Sequence, residues 1–88
     1  MTSIGDIIIV TQNDFDDCFH VGDLARITNE DEPTKGVPPG WVADFSGFKG
    51  NTNAGTWYIT EAPTDAYNGH GYAFRLATNR DLQDRRLV

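Results

Sequence analysis

The sequence predicts an all-β fold, a small barrel of five short strands. Three observations carry this. Clusters of β-branched and aromatic residues recur along the chain, and TWYIT at Thr56–Thr60 is the clearest of them. Runs rich in Gly, Pro, Asn and Asp separate the clusters, and these residues favour turns because they supply unusual backbone angles or bond the nearby backbone. A chain of 88 residues forms one domain. A domain of this size buries only about 60–65% of its unfolded surface, which suits a small barrel better than a two-sheet sandwich.

The elements come in order. Residues 4–11 (IGDIIIVT) are β-branched with polar borders and read as the first strand. Residues 12–17 (QNDFDD) read as a loop, with Phe15 alone among acids. Residues 18–29 (CFHVGDLARITN) are the stretch around which the chain is organised. The Gly22-Asp23 pair reverses the chain and a second strand begins at Leu24, with either Leu24 or the Ala25/Ile27 pair facing the core. Residues 30–40 hold three prolines and two glycines and must be a loop. Residues 41–45 set Trp41, Ala43 and Phe45 against Val42 and Asp44, which is strand period. Residues 46–55 are a Gly/Asn-rich hairpin connection, and Thr56–Thr60 is the fourth strand. Residues 61–67 have room for one helical turn, and residues 68–71 (NGHG) for a tight turn. Residues 72–77 alternate Tyr72, Phe74 and Leu76 against Ala73, Arg75 and Ala77, giving a fifth strand. The chain therefore divides into a barrel over residues 1–78 and a charged tail over 79–88, either a short helix or frayed.

Composition narrows the function. The single cysteine, Cys18, cannot build a disulfide framework or a paired-cysteine metal site, and it suits a cytoplasmic setting. No basic stretch leads into an apolar one, so no signal peptide is expected, and the four-residue apolar run at 7–10 is too short to span a membrane. The net charge of −6 is uneven: residues 1–65 hold eleven acidic and three basic side chains, residues 66–88 two acidic and four basic. An acidic body argues against direct nucleic-acid binding and permits a basic or nucleic-acid-binding protein partner. It also serves solubility alone.

Candidate site residues fall into three groups. Asp14, Asp16 and Asp17 crowd one loop; such carboxylates can ligate calcium, but the glycine and terminal glutamate of a calcium loop are missing and a solvated loop is the simpler reading. Glu30, Asp31 and Glu32 form a second acidic stretch. Phe15, Trp41, Trp57, Tyr58 and Phe48 are the aromatics from which an exposed binding surface can be drawn, although Trp57 and Tyr58 cannot both point inward. Cys18 and His20 lie two apart, but no Asp or Asn in a suitable context completes a catalytic set, so Cys18 reads as a small buried hydrophobe and no enzyme is expected. No cofactor is expected. Arg80, Arg85 and Arg86 make the tail basic, able to dock on the acidic body or on an acidic partner.

In their order, a first strand, a long acidic loop, Gly22-Asp23-Leu24-Ala25-Arg26-Ile27, Trp41-Val42-Ala43-Asp44 and Gly55-Thr56-Trp57-Tyr58-Ile59 resemble the Src-homology-3-like barrel. The resemblance covers residues 4–67. It implies a diverging turn at Gly22-Asp23, a Trp-led strand at Trp41 and a short helical turn over 61–67. Small acidic proteins of this pattern are similar to accessory proteins of tailed bacteriophages and to bacterial barrel modules. The first strand has no aromatic where peptide-binding members carry a tyrosine-rich motif, so proline-rich peptide recognition is not implied. The expectation is a non-enzymatic protein-binding module, monomeric or a homodimer, that occludes a host protein through Asp14, Phe15, Asp16, Asp17, Glu30, Asp31, Trp41 and Trp57. The alternatives are a virion or assembly component that self-associates through an edge strand, and a mimic of DNA.

Overall fold

The computed structural model describes residues 2–15, 17–31, 40–63 and 69–85. Strands β1 (Ile7–Asn13), β2 (Leu24–Asp31), β3 (Gly40–Asp44), β4 (Thr56–Thr60) and β5 (Tyr72–Leu76) precede a one-turn helix, α1 (Asn79–Leu82). All strand pairings are antiparallel, in one sheet of order β4-β3-β2-β1-β5. The chain thus meanders from β1 to β4 and returns to lay β5 on the far side of β1.

The all-β architecture and the five strands match expectation; closure into a barrel does not. β4 and β5 are the two edges of an open sheet. The sheet nevertheless curls. Register shifts between Val10 and Gln12 and between Ile27 and Asn29 place an extra residue in β1 and β2, and such bulges increase local twist. The edges approach at one end, where the Phe74 amide donates to the Glu61 carbonyl at 3.4 Å and Thr60 Oγ1 donates to the Tyr72 carbonyl at 3.3 Å.

Several boundaries differ from the sequence reading. β1 starts at Ile7 rather than Ile4, which is 62% exposed. Gly5 turns the chain there with a φ of +96°. Gln12 and Asn13 belong to β1, because Ala73 and Tyr72 of β5 pair with them. Glu30 and Asp31 extend β2 by pairing with Trp41 and Gly40. Glu61–Pro63 are not helical, and the rest of the expected helical turn lies outside the described residues. Leu76 is solvent-exposed rather than core, since β5 meets the other edge through Tyr72 and Phe74 and Leu76 lies beyond them.

One face of the sheet carries Ile8, Val10, Ala25, Ile27, Trp41, Ala43 and Ile59, all buried, and two loop phenylalanines, Phe19 and Phe45, complete the cluster. Their rings stack at 4.7 Å between centroids with planes 10° apart. Each such buried side chain contributes about 1.5–3 kcal/mol. Trp57 packs partly buried against this cluster while Tyr58, its neighbour, faces outward.

The opposite face explains the tail. Ile9 pairs with Leu24 on one side and Arg75 on the other. Leu24 is fully buried although it lies outside the core cluster. Arg75 holds Asp81 through two contacts of 2.7 and 3.1 Å, and Arg85 reaches the Gly22 carbonyl at 2.7 Å. The arm is thus tied to β5 at Asp81 and to the β1–β2 loop at Arg85. Thr78 caps α1 with a capping box. Of the two forms expected for the tail, the short helix is present at Asn79–Leu82; residues 86–88 lie outside the described residues. Of the alternatives for β2, the Ala25/Ile27 pair enters the core cluster, and Leu24 is buried outside it, its backbone held by Asn51.

Candidate functional site

The loop between β1 and β2 has two halves with different surroundings. Its second half is tied down. Phe19 enters the core, and Cys18 packs half-buried beside it. Asp23 is 3% exposed and accepts the amides of His20 at 2.9 Å and Thr52 at 3.3 Å. Asn53 Nδ2 donates to the carbonyls of Asp17 and Cys18. A buried carboxylate is tolerable only when backbone donors of this kind replace its water.

The first half is displayed. Asn13 sets it up: Nδ2 donates to the Phe19 carbonyl at 2.8 Å, and Oδ1 accepts the Phe15 amide at 3.1 Å. This is the short-range bonding that makes asparagine a turn former. Asp14 Oδ2 accepts Gln12 Nε2 at 2.5 Å and the Gly71 amide at 3.0 Å, and lies 3.5 Å from His70 Nδ1. The Asp14 amide in turn donates to the Gly71 carbonyl at 3.2 Å. The Gln12 side chain and, next, the Gly71 amide hold the Asp14 carboxyl below the usual carboxylate range.

This double link to Gly71 fixes Phe15 against the start of β5. Its ring meets Tyr72 edge-on, 5.5 Å between centroids at 88°, and still leaves Phe15 50% exposed. Gly71 is required there: a Cβ would meet the Pro63 backbone at 3.3 Å and the Phe15 ring at 3.7 Å, at a φ of +147°. Behind lies the seam of the two edge strands, where Trp41 Nε1 donates to Glu61 Oε1 at 3.0 Å. The result is an aromatic ring projecting from a rim that carries Asp14, exposed Asp17 and exposed His70.

The residues expected from sequence are not all gathered here. Asp14, Phe15 and Asp17 share the loop, and Asp16 lies outside the described residues. Glu30 and Asp31 are exposed but sit on the end of β2, paired with Trp41 and Gly40. Trp41 is withdrawn from the surface: it is buried in the core, because the inward register of β3 and the Glu61 carboxylate together capture its ring and its N–H. Trp57 is likewise turned to the core, and its buried Nε1 has no hydrogen-bond partner among the described residues. Cys18 packs partly buried against the core and His20 is exposed. Among the described residues no three His, Cys, Asp or Glu side chains are placed to hold a metal ion.

Sequence reasoning missed His70, Gly71 and Tyr72 as parts of the rim. Their only signal is the glycine-flanked histidine in NGHG, and nothing local says that this turn lands on residues 14–15. Among the described residues no helix is long and apolar enough to cross a membrane. No family model, no curated protein and no solved structure matches the chain.

Proposed function

We propose that the chain is a Src-homology-3-like module that binds a protein partner through the Asp14–Phe15 rim, and that it is a phage or bacterial accessory protein acting by occlusion rather than catalysis. The strand order, the long β1–β2 loop and the approach of β4 to β5 support the barrel reading. The observation that carries the function is Phe15. It is a half-exposed aromatic, backed by Tyr72 and held by two hydrogen bonds between Asp14 and Gly71, one between their backbones and one from the Gly71 amide to the Asp14 carboxylate. Large apolar side chains held rigidly at the surface make effective interface anchors, since little freedom is lost on binding. The surrounding carboxylates and the net charge of −6 select a basic partner and speed its encounter.

The test is capture from a bacterial lysate on immobilised protein, run in parallel with Phe15→Ala and with Asp14→Asn/Asp17→Asn. The proposal expects one protein retained by the parent and lost by Phe15→Ala. Retention of that protein should weaken with salt in the parent, and less steeply in the double variant. Assembly of the pure protein into large particles with rising concentration, with nothing retained, contradicts the proposal and supports a self-associating component.

A further inference from the structure

Away from the rim, the C-terminal arm ends in a close set of hydrogen bonds. Arg85 Nε donates to the Lys49 carbonyl at 2.8 Å, one terminal nitrogen to the Gly22 carbonyl at 2.7 Å, and the other to Asn51 Oδ1 at 2.9 Å. Three nitrogens of one planar group meet three oxygens from two separate loops. The Lys49 amide also donates to the Arg85 carbonyl at 2.6 Å.

Two of the three acceptor residues, Asn51 and Gly22, are held by the fold independently of the arginine. Asn51 Nδ2 donates to the carbonyls of Leu24 at 2.7 Å and Phe45 at 2.8 Å, and its Oδ1 accepts the Leu24 amide at 2.9 Å. Those three bonds fix which end of the amide faces Arg85. The Gly22 amide is held by the Val10 carbonyl at 2.9 Å. Gly50 forms the floor: the guanidinium lies over it within ordinary contact distance of where a Cβ would stand, 3.4 Å from Arg85 Nε and 3.5 Å from a terminal nitrogen, and its φ of +82° favours glycine. All three acceptors are neutral oxygens. A guanidinium suits such a site because it is weakly hydrated and presents its donors in a rigid fork, whereas an ammonium is compact and strongly hydrated.

We infer that Gly22, Lys49, Gly50 and Asn51 form a guanidinium-binding site in its own right, which Arg85 fills in cis and which accepts an arginine supplied in trans when the arm is lifted. The arm makes this release simple. α1 is four residues long and buries no side chain fully, and its other anchor is the Arg75–Asp81 pair, in which the arginine is half-exposed and the carboxylate partly buried. Arg85 makes three of the arm's side-chain hydrogen bonds to the β1–β2 and β3–β4 loops, so its removal frees that end of the arm.

The test is a titration of ¹⁵N-labelled full-length Arg85→Ala with methylguanidinium, followed by NMR, with sodium chloride at matched ionic strength as the control. The Leu24 and Gly50 amides are expected to shift saturably in the variant and to stay still in the parent, whose site is filled. In a thermal melt the variant should lose about 4–8 °C, as for about 1 kcal/mol in a domain this small, and methylguanidinium should restore part of that loss. Arg85→Lys should melt with Arg85→Ala, since charge without the fork is not enough. A peptide of residues 78–85 should shift the same amides, and its counterpart with alanine for the arginine should not. Absence of saturable shifts in a variant that still gives a folded spectrum, or equal shifts in parent and variant, would overturn the site. Methylguanidinium binding without peptide binding would overturn acceptance in trans.

Discussion

Two phenylalanines four positions apart in one loop behave in opposite ways. Phe19 is 1% exposed, stacked on Phe45 and 5.3 Å from the Tyr72 ring; Phe15 touches the same Tyr72 and is 50% exposed. The difference comes from what grips the backbone. Around Phe19 the grip comes from Asp23, Asn53 and Asn13, all bound to main-chain groups. Around Phe15 it comes from Asp14 reaching across to Gly71. A short loop can thus commit one aromatic to stability and hold a second in place at the surface.

Substitutions sharpen this contrast. Phe19→Ala removes a stacked core ring and should destabilise by about 3–5 kcal/mol, read as a lower urea midpoint with unchanged slope. Asn51→Ala is next. It strands the Leu24 amide and two carbonyls, at about 1–3 kcal/mol, and should raise amide exchange at Leu24 before elsewhere. Phe15→Ala should change stability by less than about 1 kcal/mol while abolishing partner retention. Equal destabilisation by Phe15→Ala and Phe19→Ala would break the comparison.

The smallest effect is on pH. Asp14, through Gln12 and Gly71, has its folded-state carboxyl held below the ordinary range, and Asp81, through Arg75 and Thr78, has its own held far below it. Between the folded and unfolded values the unfolded chain binds more protons, so their contribution is complete above about pH 4 and is lost as pH falls below it. Asp14 is open to solvent, which keeps its share of the effect small. Urea midpoints at pH 5 and pH 3 should therefore differ slightly less in Asp14→Asn than in the parent.

Much of the sheet is legible in the sequence because alternation and β-branched runs report directly on a strand: Thr56–Thr60 falls where TWYIT predicts. Sequence pattern fails where a partner strand decides the matter. Gln12 and Asn13 look like turn residues, yet β5 recruits them into β1. Trp41 looks available for binding, but its fate depends on Glu61, twenty residues away. The rim is half legible. An isolated Phe15 among acids signals exposure, whereas its seat on Gly71 and Tyr72 is a contact across more than fifty residues that no local pattern encodes. The Arg85 niche is invisible for the same reason, since two of its three oxygens are backbone carbonyls.

The most direct test of the central claim, that Phe15 is displayed for binding and Phe19 is kept for folding, is a paired measurement on the parent and Phe15→Ala. A urea unfolding curve would be recorded for each, together with its affinity for the protein captured by the parent. The account predicts stabilities that differ by less than about 1 kcal/mol and a loss of affinity of at least about tenfold, or about 1.4 kcal/mol. Unchanged affinity, or a fall in stability large enough to explain the lost binding, would contradict it.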